Sequence, residues 1–204
     1  VDRDAWNQRY AAPDLVWTAT PNRTVEAEVG PMAPGRALDL AAGEGRNATW
    51  LAERGWKVTA VDFSDVGIAT GRRQADARGV EVDWVVDDVT THRPEPGAFD
   101  LVLVCYLHLP PDQRHRVMAS AREAVAPGGT FLLVGHDRTN LEHGHGGPQD
   151  PAVLTSPDEV VADLPGFEVE RAEVIERVVE LDPGHGGPTT ATALDTLVRA
   201  RRPA

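Results

Sequence analysis

Along this chain, short apolar runs alternate with stretches whose apolar residues recur at helical spacing. Arg36–Leu40 predicts a strand, and Arg46–Arg54 behind it places Ala48, Leu51 and Ala52 on one helix face. Lys57–Val61 predicts a second strand, Asp65–Arg78 a polar helix with an Ala/Ile stripe, and Val80–Val86 a third strand. Phe99–Cys105 (Phe-Asp-Leu-Val-Leu-Val-Cys) is a nearly continuous apolar run, the pattern of a central parallel strand buried on both faces. Pro111 opens a helix running to about Val125, since a missing N–H costs nothing in a first turn. Pro127-Gly128-Gly129 then reads as a turn and Thr130–Gly135 as a fifth strand.

The last third changes character. His136–Pro151 is a Gly/His/Pro loop, and Thr155-Ser156-Pro157-Asp158-Glu159 starts a helix with a hydroxyl cap, an early proline and acids at the positive end. Phe167–Glu180 and Thr190–Arg202 read as strands joined by a hairpin-like loop over 182–188. The sum is an α/β, Rossmann-like, doubly wound fold: a mostly parallel seven-stranded sheet with a terminal antiparallel pair and helices on both faces. Ligands of such sheets sit at the carboxyl ends of the strands, where strand order reverses. With 204 residues and no linker, a single domain is expected.

Charge and cysteine narrow the partners. The formal net charge of −12 argues against nucleic-acid backbones and anionic membrane surfaces. One cysteine, Cys105, allows no intrachain disulfide and fits a reducing compartment. No run of about 18 apolar residues is present to span a membrane, and the opening Val-Asp-Arg-Asp has no apolar signal core. A cytoplasmic location is expected.

Gly43-Glu44-Gly45-Arg46-Asn47-Ala48 matches GxGxxG/A between a strand and a helix, the arrangement that brings backbone N–H groups close to a ligand. Asp62 closes the next strand 17 residues past Gly45, where an acid accepts both hydroxyls of a ribose. Dinucleotides and S-adenosylmethionine share this geometry. Asp39 favours the second, because a carboxylate at the strand end repels a pyrophosphate and attracts an ammonium or a sulfonium. Asp62 capping the following helix, and Asp88 capping a turn, are the bland alternatives.

The ordered set Asp39–Asn47, Val58–Ser64, Asp87-Asp88-Val89, Phe99–Cys105 and Ala126-Pro127-Gly128-Gly129 resembles the class I S-adenosylmethionine-dependent methyltransferases. Trp6–Tyr10, Trp17 and Pro21-Asn22 resemble the small tellurite-resistance and thiopurine-type branch. The resemblance implies S-adenosylmethionine as cofactor and a small-molecule methyl acceptor. It implies that Asp39, Ala41, Gly43 and Gly45, with Asn47 of the same motif, line the methionine and ribose side. Asp62 would take the ribose hydroxyls, Phe63 would pack on the adenine, and Val89 would offer it backbone. Asp88, or its neighbour Asp87, would accept from the adenine amino group, and Cys105 would lie beside the cofactor. Ala41 departs from the pattern, which usually has glycine there. The chain then divides into a helical lid over 1–35, a cofactor-binding core over 36–135, and acceptor-side loops with the terminal strand pair over 136–204. Tyr10 and Trp17, with Trp6, are lid residues placed to fold over the cofactor.

Transfer from a sulfonium is an in-line displacement whose chief demand is alignment. An oxygen or nitrogen acceptor also needs a base, most often histidine. His108, just past the fourth strand, is the first candidate and His136, ending the fifth, the second. Gly-His-Gly-Gly-Pro occurs twice, at 144–148 and 184–188. These loops read as glycine-rich turns, as a lid whose imidazoles touch the acceptor, or as a metal site through His143, His145 and His185 with His136. Their spacing matches no zinc motif, and no metal is assigned. A dinucleotide-dependent oxidoreductase and a non-catalytic S-adenosylmethionine-binding module are the alternative functions.

Overall fold

The structure is a computed structural model that describes residues 3–11, 15–16, 18–181 and 189–204. Seven strands form one sheet: β1 (Arg36–Leu40), β2 (Lys57–Asp62), β3 (Asp83–Val86), β4 (Phe99–Cys105), β5 (Val125–His136), β6 (Glu168–Glu180) and β7 (Thr190–Arg201). Their order is β3-β2-β1-β4-β5-β7-β6. The first five are parallel, and β7 lies antiparallel between β5 and β6. Strand order therefore reverses between β1 and β4. The helices are α1 (Arg3–Tyr10), α2 (Arg23–Val29), α3 (Arg46–Glu53), α4 (Asp65–Ala77), α5 (Pro111–Ala124), the single turn α6 (Asn140–His143) and α7 (Pro157–Ala162). Among the described residues no helix is long and apolar enough to cross a membrane.

Both faces of the central strands are covered, as their apolar runs require, while the edge strand β6 is largely exposed. In β4, Val102 and Val104 enter one core with Met118 and Phe131, while Leu101 and Leu103 enter the other with Leu51 and Trp56. Alternation at period two thus feeds two hydrophobic layers from one strand. Helix α7 begins as its sequence indicates: Ser156 and Glu159 form a reciprocal capping box ahead of Pro157.

Two strand boundaries differ from expectation. The third strand begins at Asp83 rather than Val80, because the chain first closes α4. Gly79 takes φ 68° and the Val80 N–H bonds to Ala75 O. The fifth strand begins at Val125 rather than Thr130. Its Pro-Gly-Gly segment is an irregularity inside the strand, with the register shifting against Phe99 and Leu101. Gly128 N donates to Arg202 O, and Arg202 N donates to Gly129 O, so the segment pairs with the end of β7.

The front segment splits in two. Helix α2 packs into the core through Val25 and Val29, and its buried Glu28 pairs with Arg171 of β6 and Arg199 of β7. Helix α1 instead lies against α4. Arg3 and Asn7 both donate to Asp65 Oδ1, at 3.0 and 2.9 Å, and Ser64 Oγ donates to Asn7 Oδ1.

Gly71 of α4 and Gly45 before α3 meet the same side chain, Trp84. A Cβ at Gly71 would fall 2.6 Å from the Trp84 ring. Gly71→Ala is expected to lower unfolding stability by about 1–3 kcal/mol through overpacking, and Trp84→Leu in that background to recover part of the loss. Urea unfolding of the three proteins checks this, and an unchanged Gly71→Ala midpoint would refute the contact.

Candidate active site

The turn after β1 uses backbone conformations that side chains disfavour. Ala41, Gly43 and Gly45 have φ values of 61°, 57° and 71°. Ala41 stands where glycine is expected, and holding alanine in the left-handed region costs about 1–2 kcal/mol. The turn is fixed by Ala42 N donating to Val61 O and by Gly45 N donating to Ala42 O. Helix α3 then starts at the carboxyl edge of the sheet, with no side-chain cap bond at its N-terminus.

Asp62 joins this turn to the end of β2. Its Oδ2 accepts from Gly43 N and its Oδ1 from Ser64 N, both at 2.8 Å, and the residue is 4 % exposed. Burial raises its pKa against the pull of those two N–H groups. The cap of α4 is Ser64, whose hydroxyl accepts from Gly67 N, so Asp62 is not the helix cap. Asp88 lines the site while its Oδ1 accepts from Thr90 N. Asp87 turns away, with Oδ2 2.8 Å from His92 Nδ1. Between the two neighbours, the structure therefore brings Asp88 to the site.

A cavity of about 180 Å³ occupies the switch point between β1 and β4. Tyr10, Ala41, Gly43, Asn47, Asp62, Phe63, Asp88, Val89, Cys105 and His108 all line it. So do Trp6, Arg46, Thr90, Tyr106, Leu107, Leu109 and Gln113. Three expected residues do not. Gly45 faces Trp84 instead, and a Cβ there would overlap the indole, so this glycine serves packing and the left-handed turn. Asp39 lies beneath the wall, 1 % exposed. His136 lines an adjoining cavity of about 20 Å³, which shares Leu107 and His108 with the larger one. Trp17 and His185 lie outside the described residues. His143 and His145 are exposed on their loop, and no cluster that could hold a metal occurs among the described residues.

The two ends of the cavity differ electrostatically. At the β1 end, neither oxygen of Asp39 has a hydrogen-bond partner of ordinary geometry among the described residues. Burial first, and then the charge of Asp62, push its pKa up to about 7, while Arg46 and the Ala48 N–H pull back. Three carboxylates, Asp39, Asp62 and Asp88, thus gather on one side. That donor-poor set suits a ligand bringing cationic groups, hydroxyls and an amino group, and it repels a pyrophosphate. Beside it, burial pushes the Cys105 thiol up to about 12, so it stays protonated.

At the β4 end, burial first and then the neighbouring His136 push His108 down to about 4. Its imidazole is therefore neutral at physiological pH, and its Nε2 has no partner among the described residues. Tyr106, which sequence reasoning passed over, sits here with φ 56° and donates from its hydroxyl to Asp195 Oδ2 at 2.6 Å. Asp195 was also missed. A carboxylate inside the apolar run Ala193–Val198 was the available signal, because strands do not bury a charge without a reason.

A family model described as a methyltransferase domain matches residues 37–129. The chain is 35% identical over 104 residues to a demethylmenaquinone methyltransferase of Thermus thermophilus, covering 50% of this chain and 47% of that protein. It is 32% identical over 123 residues to a tRNA 5-carboxymethoxyuridine methyltransferase of Escherichia coli, covering 57% of this chain and 46% of that one. The chain thus spans about half the length of the curated relatives it matches. In fold it resembles TehB from Haemophilus influenzae, with a TM-score of 0.71 and 16% identity over 98% of this chain and 66% of that one. Residues 37–129 thus resemble a methyltransferase domain, and the glycine turn with its acids and the sheet order agree with the class I, S-adenosylmethionine-binding type of that domain.

Proposed function

We propose that this chain transfers the methyl group of S-adenosylmethionine to a proton-bearing oxygen, nitrogen or sulfur of a small molecule, in the cytoplasm. The observation that carries this reading is one cavity running from Asp62 and Asp88, with Asp39 buried nearby, to the neutral His108. The cofactor supplies an activated methyl group. Asp39 lies below its methionine end and balances the cationic groups there. Asp62 takes the ribose hydroxyls while bracing Gly43, and Asn47 flanks the same side. Phe63 and Val89 pack on the adenine, and Asp88 accepts from its amino group. Trp6 and Tyr10, stacked with centroids 5.3 Å apart, form the lid carried by α1.

On the acceptor side, the proton leaves the heteroatom for His108 as the heteroatom–carbon bond forms and the sulfur–carbon bond breaks. Positive charge disappears from sulfur as it appears on imidazole, so the step creates no net charge in a buried site. His136 stands behind His108 and does not reach the large cavity itself. Overall acidity, −12, favours a small acceptor over a nucleic acid.

Asp62→Asn keeps the size of the side chain and removes its charge. It is expected to weaken S-adenosylmethionine binding about tenfold or more by calorimetry, and unchanged affinity in a folded variant would remove the ribose assignment. Binding of NADH in place of S-adenosylmethionine would overturn the reading as a whole.

Asp39 yields a pH prediction. Its folded pKa lies above the 3.8 of a free aspartate, so the folded chain holds this proton more tightly than the unfolded chain. Its contribution to stability is full below that value and is lost as pH rises through about 7. A bound cation favours the ionised form. Binding at about pH 6.5 should therefore release part of a proton, seen as a calorimetric enthalpy that varies with the buffer's ionisation heat, and by about pH 8.5 that variation should vanish.

A further inference from the structure

Asp195 lies in β7, opposite His136 of β5 and Ile175 of β6, with 0 % of its surface exposed. Tyr106 Oη and Arg177 Nε each donate to its Oδ2 at 2.6 Å, and a second Arg177 nitrogen donates to Oδ1 at 3.4 Å. His136 Nδ1 is 3.3 Å from Oδ1, within ion-pair range but off the line of a straight hydrogen bond. Burial alone would push this carboxyl up. The bonds from Arg177 and Tyr106, with the close approach of His136, outweigh it and hold the carboxyl below its ordinary range. Arg177 by itself neutralises the charge, and a buried ion pair adds little to stability over an apolar pair. What the further contacts accomplish is orientation.

From Asp195 the rings follow in order. The His136 ring is 5.0 Å from that of Tyr106 and 5.4 Å from that of His108, the two imidazoles being nearly parallel at 17°. Stacked rings exchange no in-plane hydrogen bond, so His136 acts on His108 by contact and charge. Of the other titratable groups around them, Cys105 lines the large cavity, Arg114 lines the small one, and Arg177 lies over the Tyr106 ring.

We infer that Asp195 is a positioning residue for the acceptor wall: it holds His136 with its proton on Nδ1 and Tyr106 by its hydroxyl, and the His136 ring seats His108 at the cavity. The term acceptor rests on the methyl-transfer reading; the ring arrangement does not. A neutral imidazole takes a proton but offers no charge to hold a carboxylate.

Long-range proton–nitrogen NMR of the imidazoles in the free protein reads tautomer and charge directly, with His108→Gln and His136→Gln supplying assignments. The wild-type protein should show His136 protonated on Nδ1 and His108 uncharged at neutral pH. Asp195→Asn should move at least about half of the His136 population off that form, while S-adenosylmethionine affinity changes less than about twofold. A wild-type His136 lacking its Nδ1 proton, a charged His108, or an unchanged His136 in folded Asp195→Asn overturns the proposal. Should that variant not fold, the wild-type tautomers alone decide. Failure of the wild type to bind S-adenosylmethionine would instead count against the methyl-transfer reading and leaves these tautomers as measured.

Discussion

The pair of bonds from Asp62 to the backbone of Gly43 and Ser64 is the constraint on which the site depends. One carboxylate ties the turn after β1 to the end of β2 and to the first residues before α4. Through Ser64 it also reaches Asn7, and so α1 and the stacked Trp6 and Tyr10. Helix α1, the turn after β1 and the end of β2 therefore share a single anchor. That anchor makes the left-handed Ala41 tolerable, because the neighbouring turn cannot relax without breaking a buried charge-assisted bond.

Charge is distributed unevenly along the cavity. The β1 end concentrates carboxylates, one of them short of partners, so it is least comfortable without a cation. The β4 end keeps its carboxylate, Asp195, fully engaged and presents neutral rings. Cys105 lies between them as a protonated thiol.

The parallel core was legible because its signals are local: apolar strand runs, a glycine turn between strand and helix, an acid at the end of β2. Among the described residues expected at the cofactor end, all except Asp39 and Gly45 line the cavity directly. Those two depended on long-range packing. Gly45 answers to Trp84, 39 residues later, and Asp39 sits under the wall rather than in it. The acceptor end was hardest to read. Its arrangement arises from the antiparallel register that sets His136 against Asp195, and no local spacing encodes that pairing. Likewise the Pro-Gly-Gly segment reads as a turn by composition, and only its bonds to the end of β7 make it a strand irregularity.

The placement of β7 between β5 and β6 has a consequence for how the chain is made. Strand β6 leaves the ribosome before β7 but has no place in the sheet until β7 arrives. Helix α2, made near the start, waits as well, since the bond from Arg199 to the Glu28 backbone closes over 171 residues. Until then the α2 carboxylate and the β5 edge are both unpartnered. A late, long-range closure of this kind slows folding and leaves a strand edge open to other chains. The terminal strand pair thus acts as the clasp of the domain, and conditions that delay its formation put the whole chain at risk of aggregation.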